Sequence, residues 1–549
     1  MAIFERIRRG RKSTGGRRDC RLDEADFIIA GGGSAGCVLA NRLSENPAHR
    51  VVLLEAGPPS DRFFVKMPAG AAKLMGNPAI DWMHVTEPDP SLGGRTTVWS
   101  AGKLLGGGSA INGMVYIRGA RHDYDEWAAL GCEGWSWNDV LPYFLRSEDF
   151  NGPESPSHAK GGPLSVSTLR IQHPLAEAFV DACAQIGLRR VEDYGSGDID
   201  GTFINHVTQR GGERCSSARA NLGAAASRPN LTVLTGALVD RVLFEGARAV
   251  GVRYRHGGVD RELRARREVI VSAGALQSPA VLMRSGVGPG SHLRAMGIET
   301  RVDAPEVGRN LQEHASFASS RFVNVPTYNA MQGPLQLAGH LMDYLLFRRG
   351  VMTTTPVHAM AFLRSDPGLA HPDIKLQLGP ICSDPVTRRL HKRSGVTVFT
   401  NVSPPKSRGE IRLRSADPAD KPVIDHRLLG DPSDVTALIN GLKAVDRIFK
   451  APALAKYVVG DNLPATTPRD DAEWEDLVRT HSRIGYHPVA TCRMGGDARS
   501  VVDPTLKVRG VSNLRVIDAS IMPLMPSANT NAPSMMVAEK GADLIRADA

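Results

Sequence analysis

The hydrophobic pattern changes period early in the chain. Asp26-Phe27-Ile28-Ile29-Ala30 is a short apolar run that reads as a buried strand. Gly31-Gly32-Gly33-Ser34-Ala35-Gly36 follows at once, and Cys37 to Leu43 reads as a helix with an apolar face. A second apolar run, Val51 to Leu54, ends in Glu55. Strand, glycine turn, helix and strand make a βαβ unit. Two later runs also read as buried parallel strands: Val269 to Val271, leading into Ser272-Ala273-Gly274-Ala275, and Leu514 to Ile517, leading into Asp518-Ala519-Ser520. Ligands of open parallel sheets bind beyond the carboxyl ends of the strands, which suits the small residues and the acid found there. If these strands share one sheet, the cofactor domain is discontinuous. Its pieces would be 24–155, 201–314 and 481–549, with 156–200 and 315–480 forming a second domain. In the latter span, Val396 to Val402 and Glu410 to Leu413 alternate in the manner of antiparallel strands.

Bulk composition removes several classes. The 549 residues are 42% hydrophobic and 23% charged, ordinary for a globular protein with a sizeable core. Length alone suggests roughly three to four domains, and a large two-domain enzyme also fits. No uninterrupted apolar run is long enough to span a bilayer. Much of the net charge of +9 sits in the first 18 residues of a basic arm at 1–23, where Arg6, Arg8, Arg9, Arg11, Lys12, Arg17 and Arg18 stand against Glu5 alone. This arm reads first as solvated and disordered, and second as a patch drawn to anionic lipid on the inner face of a membrane. No apolar stretch of signal-peptide type follows its arginines, so export is not expected. No aromatic residues interleave with them, so nucleic acid is not an expected partner. Seven dispersed cysteines without a CxxC pair argue against a disulfide framework or zinc cluster and for a cytoplasmic location. With no HExxH either, no metal is expected.

The glycine turn carries the chemistry. Gly31, Gly33 and Gly36 match GxGxxG, which permits the tight turn, brings backbone to a pyrophosphate and lets helix pack on strand. Phosphate would sit at the helix N-terminus, near Ser34 and Ala35. Glu55, about twenty residues on, is placed to bond ribose hydroxyls. The same stretch also reads Gly32-x-Ser34-x-Gly36, the nucleophile elbow of α/β-hydrolases. An elbow normally follows several strands, whereas this one opens the first βαβ unit, so a hydrolase is a remote alternative. With one GxGxxG only, electrons are expected to enter from an organic substrate and leave to oxygen, a quinone or another protein.

Four further segments make a specific resemblance. Gly102 to Gly119, containing Gly106-Gly107-Gly108-Ser109-Ala110-Ile111-Asn112-Gly113-Met114-Val115, resembles the first signature of the glucose–methanol–choline oxidoreductases. Gly274 to Gly288 resembles the second. Tyr486-His487-Pro488-Val489-Ala490-Thr491 and Asn529-Thr530-Asn531-Ala532-Pro533 resemble the family's active-site motifs. The resemblance implies an α/β chain (α+β overall) with a discontinuous Rossmann-like FAD-binding domain and a substrate domain of antiparallel sheet and helices. It implies that Gly107, Gly108, Asn112, Gly113, Met114 and Val115 lie against flavin, Val239 at the adenine, and Asp518, Ala519 and Thr530 along the cofactor. Asp518 also reads as a helix N-cap. Some members attach FAD through a histidine; Ile111 stands at that position, so non-covalent FAD is expected.

For the reaction, the resemblance implies alcohol oxidation by hydride transfer. His487 would be the general base and Asn531 the residue holding the substrate oxygen. Ala490 departs from the family's usual glycine. Choline-oxidising members place a glutamate against the ammonium group, in a segment matched here to Thr353–Phe362. His358 stands there with Val357 and Met360, so choline is disfavoured and an uncharged, fairly apolar primary alcohol is expected. His358 is thus a candidate substrate residue, or simply lines a helix. Hydroxynitrile lyases and light-driven fatty-acid decarboxylases share the fold and remain the alternative.

Overall fold

A computed structural model describes residues 23–384, 387 and 389–548. The basic arm lies outside the described residues. The βαβ unit forms as its pattern predicts: strand Glu24–Ala30, helix Ser34–Leu43 and strand Val51–Glu55. The two strands are parallel, with Ala30 opposite Leu54. Both are buried almost throughout, which is why they carry unbroken apolar runs rather than alternation.

The remote apolar runs join the same sheet. Val259–Val271 pairs parallel to the first strand, with Val271 opposite Ala30. Leu514–Val516 pairs parallel to Val259–Val271, with Val516 opposite Val271. Leu231–Thr235 completes the parallel set, its Thr235 opposite Glu55. The carboxyl ends of strands hundreds of residues apart therefore align in one row. A meander, Ala237–Glu245 and Arg248–His256, extends the sheet through antiparallel pairing with the first half of Val259–Val271. The first helix packs against the C-terminal helix Asn531–Asp548.

A second sheet is antiparallel throughout. Its strands run in the order Val458–Leu463, Ala315–Val323, Gly395–Val402, Ile374–Gly379, Ala359–Leu363 and Gly201–Ile204. Two of its pieces come from spans that sequence grouped with the cofactor domain: Gly201–Ile204, and the pair Arg483–Ile484 on strand Ala315–Val323. Helices Pro174–Gln185 and Pro432–Lys450 cover one face. The other face carries Ser316, Ala318, Gln377, Phe399 and Asn401 toward a central cavity, as the period of two requires. The alternation in Glu410–Arg412 leads elsewhere: that strand pairs with Val423–Asp425 in a separate ladder. Segment 353–358 forms no α-helix, and strand Ala359–Leu363 follows it.

Candidate active site

One cavity of about 610 Å³ runs from the carboxyl edge of the parallel sheet to the open face of the second sheet. At its first end the lining is backbone. Gly31 holds φ +115°, and a Cβ there would lie 2.4 Å from the Ser272 carbonyl oxygen. A Cβ on Gly36 would lie 1.9 Å from the Gly31 oxygen, so helix and turn approach as closely as bare backbone allows. Gly33 and Gly108 show the opposite: a Cβ on either would meet nothing within 4 Å, because both front the cavity. The first helix begins at Ser34 with no side-chain cap on Gly33. Its leading amides and dipole thus favour an anion in the cavity.

Glu55 lines this end and is buried. Its Oε2 accepts from the Gly32 amide at 2.9 Å and its Oε1 from the Gly57 amide at 2.7 Å. Burial pushes its carboxyl pKa up, against the pull of those amides. Gly31, Gly33, Ser34, Ala35, Gly107, Gly108, Asn112, Gly113, Met114, Val115, Val239, Asp518, Ala519 and Thr530 all line the cavity. Gly36 does not front it and serves the turn. Asp518 does both things that sequence left open. It borders the cavity, and its carboxylate accepts from the Ser520 and Gly274 amides at 2.8 Å each and from Ser278 Oγ at 2.5 Å. Ser34 Oγ donates to Asn531 Oδ1 at 2.8 Å, tying the N-termini of the first and last helices together. The serine of the elbow pattern therefore meets an amide rather than an imidazole.

The other end is made of side chains. His487 is half-buried, and its Nε2 lies 3.0 Å from Asn529 Nδ2. Asn529 was not singled out by sequence. Asn529 and Asn531 stand two residues apart in one motif, and only the helix start at Asn531 separates their directions. Gln377 Nε2 donates to Asn529 Oδ1 at 3.3 Å. The His487 ring is fixed from behind: its Nδ1 is 3.0 Å from His314 Nδ1, and His314 Nε2 is 3.0 Å from Ser403 Oγ. The His487 amide donates to both oxygens of Glu313, at 3.0 and 2.9 Å. Lys375, fully buried, places Nζ 3.4 Å from His314 Nδ1 and donates to the Ala528 carbonyl at 3.2 Å. Sequence missed this group too, because Lys375 looks like any charged residue of an alternating strand.

Burial, and then the neighbouring lysine, hold the His487 imidazole well below its ordinary pKa. His314 is shifted the same way for the same reasons. Burial raises Glu313 to about 8 and lowers Lys375 to about 7. Glu313, His314 and His487 offer ligand atoms within 4.8 Å of one another. The carboxylate is already engaged by backbone amides and the imidazoles by each other, an arrangement suited to proton handling.

One sequence expectation changes here. His358 does not line the cavity. It is buried, its Nδ1 accepting from the His173 amide at 3.3 Å and its Nε2 lying 3.2 Å from Tyr328 Oη. Its neighbours Pro356 and Val357 reach the cavity instead. Ala490 adopts φ +74°, the left-handed region that a glycine occupies without cost, so the departure from the family pattern places strain in the loop rather than removing a functional group.

Residues 25–316 match the N-terminal and residues 405–538 the C-terminal model of the GMC oxidoreductases, and the chain belongs to that family of FAD-dependent oxidoreductases. It is 40% identical over 528 residues to an alcohol dehydrogenase [acceptor] of Pseudomonas putida, covering 95% of each chain. It is 39% identical over 527 residues to an oxygen-dependent choline dehydrogenase of Sinorhizobium medicae, again covering 95% of each. The structure resembles pyridoxine 4-oxidase from Mesorbium loti with a TM-score of 0.86 at 33% identity, covering 94% of this chain and 98% of that one. The cavity fits FAD on its own terms: an uncapped helix N-terminus, glycines opening onto space, and a buried carboxylate beside the turn.

Proposed function

We propose that the protein oxidises an uncharged, fairly apolar primary alcohol to the aldehyde, with His487 as general base and Asn529, rather than Asn531, holding the substrate oxygen. The observation that carries this reading is the 3.0 Å contact between His487 Nε2 and Asn529 at the cavity wall. One tautomer pair satisfies the imidazoles. His487 carries its proton on Nδ1 and donates to His314 Nδ1, while His314 donates from Nε2 to Ser403. That leaves His487 Nε2 unprotonated, accepting from the Asn529 N–H and able to take a hydroxyl proton in its place. An alcohol oxygen that displaces the Asn529 N–H from Nε2 accepts that N–H while giving its own proton to His487, which stabilises the developing negative charge. FAD, when bound, supplies the hydride acceptor. Ile111 lines the cavity and offers no nucleophilic atom, which supports dissociable FAD.

The substrate class follows from the lining near His487. Ser316, Ala318, Val357, Gln377, Phe399 and Asn401 include no carboxylate to balance a quaternary ammonium group. The supporting test is anaerobic bleaching of the bound flavin by a panel of primary alcohols. Alkyl and aryl alcohols should reduce it and choline should not. Bleaching by choline ahead of every uncharged alcohol would overturn the substrate class. No bleaching by any alcohol would favour a non-redox relative. Acid denaturation should release FAD into the supernatant; flavin left on the polypeptide would count against Ile111. For the electrons we propose transfer to a quinone, a redox protein or oxygen.

A further inference from the structure

We infer that helix Pro334–Phe347 docks the enzyme on an anionic lipid bilayer, lying in the plane of its surface. This goes beyond the reaction and does not depend on which alcohol is oxidised. Of the helix's fourteen residues only Tyr344 is buried. Leu335 is 89% exposed, Leu346 63%, Phe347 59% and Met342 54%. Such exposure is not the scatter of single apolar residues found on any surface, because one element carries all of them. Gln336, His340 and Asp343 recur at i, i+4 and i+7, so the polar residues share one face. Leu335, Leu341, Met342, Leu345 and Leu346 fill much of the rest. The helix is about 21 Å long at 1.5 Å per residue, and no described helix is long and apolar enough to cross a membrane. It suits an interfacial element rather than a span.

The neighbouring chain extends the patch and supplies the charge. Phe63 packs edge-on against Tyr344 with ring centroids 6.2 Å apart, and Phe63 and Phe64 are themselves exposed. Arg348 and Arg349 follow the helix directly, and Arg62, Lys66 and Lys73 lie on the 62–73 segment. The acids beside them are Asp343, Asp61 and Glu213, which pair with Arg349, Lys66 and Arg348. The rim is therefore net basic. Such a rim repels a second copy of itself and attracts anionic headgroups. A bilayer also accepts a convex apolar surface without a complementary groove. The same segment leads into Met75, which is exposed and also lines the active-site cavity, so docking turns the cavity rim toward lipid.

The test is flotation of the full-chain holoenzyme with vesicles of phosphatidylcholine alone and of phosphatidylcholine mixed with phosphatidylglycerol, at low and high salt. The parent should float with the mixed vesicles and retain part of that binding at high salt, where purely electrostatic attraction is screened. Replacing Leu335→Glu together with Leu346→Glu should lower partitioning on the order of a hundredfold, about tenfold for each leucine kept out of an apolar environment. Both side chains are exposed, so FAD content and alcohol-driven reduction in solution should stay at the parent level and report an intact fold. A parent that stays in the soluble fraction overturns the proposal. So does a double variant that floats like the parent, which would assign binding to the basic arm. A parent dimer that the double variant splits, without vesicle binding by either, would make a second copy the occupant.

Discussion

The two ends of the active-site cavity are built on opposite plans. The nucleotide end is backbone: the Gly31–Gly36 turn, the open faces of Gly33 and Gly108, and a helix N-terminus without a side-chain cap. The reaction end is side chain: His487, Asn529, Gln377, His314 and Lys375 come from strands and loops scattered between residues 314 and 529. The first plan binds through groups every residue has, and constrains only where a Cβ is forbidden. The second binds through particular atoms held by packing. Cofactor affinity and chemistry should therefore be separable by mutation, each end failing without the other.

The largest separation is expected at His487. His487→Ala should retain FAD and slow anaerobic flavin reduction at saturating alcohol by about 10²–10⁴-fold, the usual cost of losing a general base. A rate within a few-fold of the parent would place the base elsewhere. Asn529→Ala should slow the same step by about 10²–10³-fold. Asn531→Ala should act at the nucleotide end, because its Oδ1 accepts from Ser34 Oγ. If Asn531→Ala slows saturated reduction more than Asn529→Ala does, the two asparagines have been assigned to the wrong ends. The His487→Ala, Asn529→Ala double variant should lose less than the product of the two losses, since both residues serve one transition state.

A smaller effect is expected at Glu55. Its carboxylate bonds the Gly32 and Gly57 amides and so braces the turn from below. Glu55→Ala should weaken FAD binding by about 1.5–3 kcal/mol, the range for a hydrogen bond to a charged group, while FAD-saturated enzyme reduces at the parent rate. Equal losses in affinity and in saturated rate would mean that the ends are coupled. The contrast also explains what sequence could disclose. A backbone site has to spend glycines, and glycines at fixed spacing after an apolar run are visible in one chain. The row of parallel strand ends was legible for the same reason, because burial on both faces leaves an unbroken apolar run at Val269–Val271 and one at Leu514–Ile517 broken only by Arg515, which is buried and pairs with Glu268. Lys375 and Asn529 left no such mark. One alternates along a strand like a solvated residue, and the other differs from Asn531 only by which side of a helix start it occupies. His358 misled because matching a divergent segment fixes neither the strand that follows it nor the direction its ring takes.

The smallest and sharpest test concerns the charge behind the base. Lys375 is lowered from an ordinary 10.5 to about 7, chiefly by burial, with Glu313 and Asp123 opposing the shift. Below about pH 7 its ammonium sits 3.4 Å from His314 Nδ1 and adds to the burial that keeps His487 from taking a proton. Lys375→Met removes the charge and leaves the burial. The pKa of His487 should therefore rise toward its ordinary value without reaching it. Reduction fails when His487 protonates, so the acid limb of the rate profile should move to higher pH. Stability carries an independent sign. Between about pH 7 and 10.5 the unfolded chain holds the lysine proton more tightly than the folded one, so the parent's deficit from this group is full below about pH 7 and shrinks as pH rises. The variant should then melt above the parent at pH 6 and lose that advantage by about pH 10. Melting curves at both pH values, with single-turnover reduction from pH 5 to 9, check the two signs together. An acid limb that stays put or moves down would show that Lys375 does not act on the base. A variant that melts below the parent at pH 6 would show that the amine's bond to Ala528 outweighs the cost of burying it.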